Sequence, residues 1–169
     1  LQAMAEICQA NDVLVVSDEI HFDLILQGEH TVFPLAAQAM RDRCVVLTAP
    51  SKTFNLAGLQ LANTIIPDKA LRERFVARMT GDGTGNISYF GYHAVIAAYQ
   101  QAEPWLDEAI AYNRGNFDHM AAWLRENLPA VRLMPAQGTY LAWAEWRALG
   151  LTQEGRVRFM AVEAMLAVK

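Results

Sequence analysis

The sequence predicts an α/β fold: a mostly parallel sheet flanked by helices, followed by a smaller α+β portion. Three observations carry this. Val13-Leu14-Val15-Val16 and Cys44-Val45-Val46-Leu47-Thr48 are continuous aliphatic runs, the pattern of strands buried on both faces of a parallel sheet. A helical stretch opening at Pro34 lies between them, and strand, helix, strand in that order closes as a right-handed crossover. Beyond a long helical tract the strands become short and mixed in polarity.

Composition sets the outer limits. The chain has 169 residues, 53% hydrophobic and 19% charged, enough to build a core and too apolar for disorder. Lys plus Arg number 14 and Asp plus Glu 18, a net charge of −4, and no basic stripe appears, which argues against nucleic acid. The apolar runs are too short to cross a membrane. Cys8 and Cys44 are the only cysteines, too few for a disulfide framework and suited to the reducing cytoplasm. No signal peptide precedes the first strand. Leu1 falls inside one helical pattern and Lys169 inside another, so the chain reads as part of a longer protein.

The elements follow in order. Leu1, Met4, Ala5 and Cys8 have helical spacing. The strand Val13–Val16 follows, running on to Ser17. Pro34 suits a first helical turn and starts a helix over 35–43. The strand 44–48 comes next, then a third over 61–66, ended by Pro67. Asp68 is an N-cap for a helix with Leu71, Phe75 and Met79 on one face. Residues 81–85 break it, and 88–101 form a helix apolar around its circumference, which predicts burial. Pro104 opens a long helix whose stripe is Leu106, Ile110, Phe117, Met120, Leu124 and Leu128. Two short strands, 131–134 and 139–144, and a helix from about 152 to the end complete the chain. The change in strand character places a domain boundary within the long helix, dividing residues 1–111 from 112–169.

Ligands of open α/β sheets bind at the carboxyl ends of strands. Asp18 follows the first strand and Lys52 the second, so a carboxylate and an amine can share one sheet edge. They would line one pocket or form a surface ion pair worth about 0–1 kcal/mol. Glu19 beside Asp18 points to the opposite face of an extended segment, so the two carboxylates do not form an acid–base pair. Cys8, His21, His30 and Cys44 lack metal-ligand spacing, so no metal is assigned. Residues 81–86, Gly-Asp-Gly-Thr-Gly-Asn, follow a helix rather than a strand and lack the lysine of a nucleotide-binding loop. Trp105, Phe117 and Trp123 read as core or domain-junction residues.

The local words narrow the chemistry. Residues 17–21 read Ser-Asp-Glu-Ile-His, and 51–60 read Ser-Lys-Thr-Phe-Asn-Leu-Ala-Gly-Leu-Gln. Together with Gly-Tyr-His-Ala at 91–94, Glu-Pro-Trp-Leu at 103–106 and Gly-Thr-Tyr-Leu-Ala-Trp at 138–143, they resemble the fold type I pyridoxal-phosphate enzymes of the class I/II aminotransferase superfamily. Within it they resemble most the cystathionine β-lyase branch of the MalY/PatB type.

That resemblance implies part of a fold type I large domain, followed by part of its small C-terminal domain. It implies pyridoxal 5′-phosphate as cofactor, with Lys52 as the Schiff-base lysine and the base for the substrate's Cα proton. Asp18 matches the carboxylate on the pyridinium nitrogen. His21 falls where many aminotransferases carry a tyrosine on the ring hydroxyl. Ser51 matches a hydroxyl on the phosphate, and Tyr140 lies in a strand that borders the substrate. Gln60 stands where many aminotransferases have a phosphate-binding arginine, which weakens an aminotransferase reading. The implied reaction is α,β-elimination of a cysteine S-conjugate to thiol, pyruvate and ammonia. The alternatives are an aminotransferase and a truncated, non-catalytic remnant without cofactor. The resemblance also implies a homodimer, with residues 81–86 near the interface; a mobile surface loop is the other reading.

Overall fold

A computed structural model describes residues 1–160; the last part of the expected C-terminal helix, 161–169, lies outside the described residues. The first helix, α1 (Gln2–Ala10), turns Ala5 inward and leads through Asp12, at φ 56°, into strand β1 (Val15–Asp18). That turn consumes Val13, whose N–H donates to the Cys8 carbonyl at 2.9 Å, so the strand starts two residues later than its aliphatic run.

β1 pairs in parallel with β2 (Cys44–Thr48), Val15 opposite Cys44 and Asp18 opposite Leu47. The connection is the expected helical one, but it is broken. A short helix α2 (Phe33–Ala36) carries Pro34 in its first turn and ends where Ala37 leaves helical geometry, at φ −128° and ψ 64°. A 3₁₀ segment, Gln38–Arg43, finishes the crossover. The interruption lets Phe33, Ala37 and Met40 all enter one core with Ala5, Cys44 and Val46. β3 (Asn63–Ile65) adds antiparallel to β2, which makes β2 the central strand.

Burial follows position in the sheet. Cys44, Val45 and Val46 of β2 are buried, as the sequence predicts. β1 instead alternates, and Val16 is 59% exposed: as an edge of the three strands it is covered on one face only among the described residues.

Between β2 and β3 lie a one-turn helix α3 (Pro50–Thr53) and a 3₁₀ turn, Ala57–Leu59, that ends on Gln60 in the left-handed conformation. Asp68 caps α4 (Lys69–Gly81) by accepting the Leu71 N–H at 2.7 Å, yet α4 buries no residue, so its Leu71–Phe75–Met79 stripe is not a core face here.

Ser88 caps α5 (Tyr89–Gln101), and the expectation of a buried helix fails. Only Gly91 and Ala98 are buried, while Tyr89 and Phe90 are more than 70% exposed. Small residues make the contact: a Cβ on Gly91 would stand 3.0 Å from the Leu59 carbonyl oxygen. An apolar circumference shows that a helix can be covered on all sides, not what covers it.

The long helix α6 (Glu103–Asn127) runs without a break. Of its predicted stripe Leu124 is buried, Leu106, Ile110 and Phe117 are half-buried, and Met120 and Leu128 lie nearer the surface. Two two-residue strands, β4 (Arg132–Leu133) and β5 (Ala144–Glu145), pair antiparallel. The strand expected over 139–144 forms only at its end. Thr139 at φ 64° turns the chain out of extended geometry, and 139–143 are irregular. The segment docks instead on the stretch after β1, through an Ile25–Gly138 bridge and bonds from Leu26 and Gln27 N–H to the Gln137 carbonyl. A final helix, α7 (Gln153–Arg158), is capped by Thr152.

Candidate functional site

Parallel pairing brings the carboxyl ends of β1 and β2 to one edge of the sheet. Asp18 is the last residue of β1, and Lys52 lies in α3, just past the end of β2. Asp18 is exposed and accepts the Ile20 N–H at 3.2 Å. Neither Asp18 nor Lys52 joins an ion pair among the described residues, so the surface-pair alternative does not form.

Lys52 and Ser51 line a cavity of about 240 Å³ with Leu24, Thr53, Asn55, Ala57, Trp105, Asn113 and Tyr140. That volume lies just under the usual range for small-molecule sites. A larger cavity of about 550 Å³ shares Asn113 and Tyr140 with it and extends along α6 past Phe117, Met120 and Trp123. Chemistry, not size, singles out the smaller one: it alone of the two carries an amine.

His21 reaches the same neighbourhood from the other side. Its Nδ1 lies 3.0 Å from Thr139 Oγ1, and its ring meets Tyr140 edge-on with centroids 5.5 Å apart. Four of the five predicted site residues are thus connected: Ser51, Lys52 and Tyr140 through one cavity, and His21 through Tyr140. Asp18 does not line that cavity, so the expected shared pocket is not formed by these residues alone, and the strand edge is what places it beside Lys52. Gln60 is exposed at its left-handed position.

Two anchors hold this edge, one buried and one half-buried. Glu19 is 6% exposed. One of its oxygens accepts from Ser17 Oγ at 2.9 Å and Phe33 N–H at 3.0 Å; the other is 2.8 Å from His30 Nε2. Burial alone would raise its pKa, but the bonds from His30, Phe33 and Ser17 outweigh it and hold the carboxyl below its ordinary value. Asp18 and Glu19 therefore part to opposite sides, as extended backbone requires.

Asp23 supplies the second anchor. Its Oδ2 accepts from Thr53 Oγ1 at 2.9 Å and from the Tyr99 hydroxyl at 3.2 Å. This ties α3, and with it Lys52, to α5. Burial and the Asp23 charge push the Tyr99 phenol up to about 12. Burial, with the Glu19 charge, also raises the Cys44 thiol.

Sequence reasoning missed Asp23, Tyr99, Thr139 and Asn113. Thr139 sits inside a word already singled out, between Gly138 and Tyr140, so its hydroxyl was visible. Asp23, Tyr99 and Asn113 carry no spacing that separates them from ordinary surface residues. His30 is paired with Glu19. Trp105 and Trp123, about half exposed, line the two cavities rather than fill a core.

Known proteins align with the chain as follows. The sequence model of the aminotransferase class I and II family matches residues 1–167. Cystathionine β-lyase PatB of Bacillus subtilis is 42% identical over 153 residues, 90% of this chain and 40% of that protein. Protein MalY of Escherichia coli is 33% identical over 99% of this chain and 43% of its own. The crystal structure of cystalysin from Treponema denticola, which contains a pyridoxal 5′-phosphate cofactor, superposes with a TM-score of 0.92 at 35% identity, over 98% of this chain and 42% of that one. The chain spans about two fifths of the length of the curated relatives it matches.

Proposed function

Because the chain belongs to the aminotransferase class I and II family, we propose that the whole protein is a pyridoxal 5′-phosphate-dependent carbon–sulfur β-lyase of the cystathionine β-lyase type. One observation carries the reading: Lys52 is an amine with no ion-pair partner among the described residues, lining a cavity with Ser51, on the sheet edge where Asp18 likewise has none among them. An amine to attach the cofactor and a carboxylate free to meet its ring nitrogen are the donor set that pyridoxal phosphate requires, so the residues fit it.

When bound, pyridoxal phosphate supplies an electron sink for the negative charge that develops at the substrate Cα. Lys52 would hold the cofactor, and its Nζ would be the base for the Cα proton. Asp18 would keep the ring nitrogen protonated through a charge-assisted bond. His21 would serve the ring hydroxyl, Ser51 the phosphate, and Tyr140 would border the substrate. The substrate is a cysteine S-conjugate such as cystathionine, and with one water it yields a thiol, pyruvate and ammonia.

Similarity to proteins named as cystathionine β-lyases supports elimination over transamination, and Gln60 in place of a phosphate-binding arginine agrees with it. We assign residues 1–111 to the cofactor-binding domain and 112–169 to the small domain. The exposed aromatics at the start of α5 support a homodimer. Among the described residues no helix is long and apolar enough to cross a membrane, and two free cysteines suit the cytoplasm.

The test is pyruvate release from cystathionine by the whole protein with cofactor and no added keto acid. Lys52→Ala should abolish covalent cofactor attachment and lower turnover by about 10²–10⁴-fold. A strict requirement for a keto acid would replace the lyase with an aminotransferase.

A further inference from the structure

Thr139 is β-branched yet sits at φ 64°, in the left-handed region where such a side chain is an outlier. Its N–H donates to the Leu24 carbonyl at 2.6 Å, and its Oγ1 lies 3.0 Å from His21 Nδ1. Next to it, Tyr140 packs edge-on against the same imidazole and lines the Lys52 cavity. Strained backbone of this kind persists only where its surroundings over-determine it. Glycine or asparagine would adopt the conformation at lower cost. What threonine adds at this position is the hydroxyl.

We propose that Thr139 is a positioning residue for His21: its hydroxyl donates to Nδ1 and holds the neutral imidazole with its hydrogen on Nε2. A hydroxyl has one hydrogen to give, and Thr139 Oγ1 has no other hydrogen-bond partner among the described residues. Donation to Nδ1 therefore satisfies that hydrogen and fixes the tautomer through the second ring nitrogen. Tyr140 restrains the ring plane from the side, so rotation that would exchange the two nitrogens is opposed twice. For the final step, which rests on the cofactor reading above, the fixed Nε2–H is a permanent donor to the oxygen on the cofactor ring. Residues 118 positions apart in the chain would then act as one unit.

The test uses the whole protein with ¹⁵N-labelled histidine, first without cofactor, at a pH where imidazole is neutral. Long-range ¹H–¹⁵N correlations should show His21 as the Nε2–H tautomer with little of the other. Thr139→Gly should average the two ring nitrogens while leaving Tm unchanged or higher, because glycine relieves the left-handed strain. Thr139→Ser should restore the wild-type pattern; should Thr139→Gly fail to fold, Thr139→Ala is read the same way. A wild-type Nδ1–H tautomer, or an unaltered pattern in Thr139→Gly, would overturn the proposal. With cofactor bound, Thr139→Gly should shift the pH dependence of the visible band and lower kcat about tenfold with KM little changed, since one positioned donor is loosened rather than removed. A lost tautomer with an unchanged band would uphold the Thr139–His21 pairing and remove His21 from the cofactor.

Discussion

Glu19 offers the most direct test of how this sheet edge is held. Two substitutions separate its oxygens. In Glu19→Gln, the retained carbonyl oxygen still accepts from Ser17 Oγ and the Phe33 N–H, at 2.9 and 3.0 Å in the native protein. Only the contact to His30, 2.8 Å in the native protein, must be rebuilt, with the new amide donating to a neutral imidazole. Loss of one charge-assisted bond predicts a cost of about 1–2 kcal/mol. Glu19→Ala removes all three acceptor contacts, strands the buried Phe33 N–H and leaves a void, which together predict about 3–5 kcal/mol. Urea unfolding of the whole protein, with equal m-values, measures both. The pH dependence adds a sign. The folded Glu19 pKa is depressed, so its stabilisation is present above the ordinary carboxylate range and is lost as pH falls through the folded value. The gap between wild type and Glu19→Gln should therefore close on acidification. Equal costs for Gln and Ala, or a gap that widens in acid, would refute this account of the anchor.

Asp18→Asn should leave cofactor bound but lower kcat about 10²–10³-fold, because the lost charge matters most in the transition state; a change confined to KM would refute that role. Burial and the Asp23 charge push the folded Tyr99 phenol up to about 12 from its ordinary 10.0, so stability should fall as pH rises between those values, where the unfolded chain has already lost its proton. Asp23→Asn should lessen that alkaline fall and lower the Tyr99 titration followed by ultraviolet absorbance; an unchanged titration would remove Asp23 as a cause. Replacing Tyr89 and Phe90 by alanine together should raise the fraction of monomer in light scattering of the whole protein, while an intact, fully active dimer would take these aromatics out of the interface.

How much of this could be read in the sequence depended on where the partners sit. β2 was legible because Cys44, Val45 and Val46 are covered on both sides within the described residues. The same kind of run in Val13–Val16 misled, since a strand at the edge of three has fewer neighbours and the turn at Asp12 takes its first residues. The Asp68 cap read well, because it needs only the next turn of its own helix. The broken crossover did not, because Ala37 departs from helical geometry for the sake of core contacts that no local rule encodes. The shared sheet edge of Asp18 and Lys52 was legible from the two strand ends, whereas Asp23 meets Tyr99 across 76 positions and leaves no local trace.

The placement of anchors relative to chemical groups follows a rule that the backbone itself imposes. Asp18 is followed by buried Glu19, Lys52 by Thr53 at 1% exposure, and Tyr140 is preceded by the bonded Thr139. Neighbouring Cα atoms are about 3.8 Å apart, so fixing one residue leaves the next little freedom to drift. Neighbouring side chains also diverge, so one can be spent on a buried hydrogen bond while the other stays free in the cavity or at the edge. An anchor placed on the chemical residue itself would have to occupy the atoms that the proposed reaction needs. An anchor several positions away would leave intervening dihedrals to absorb any strain. Adjacency resolves both demands, and it explains why Asp18 and Lys52 have no ion-pair partner among the described residues on an edge that is otherwise tied down. It also predicts the direction of failure: breaking Glu19 or Thr53 should cost stability and positional precision together, whereas changing Asp18 or Lys52 should cost chemistry and leave stability nearly untouched.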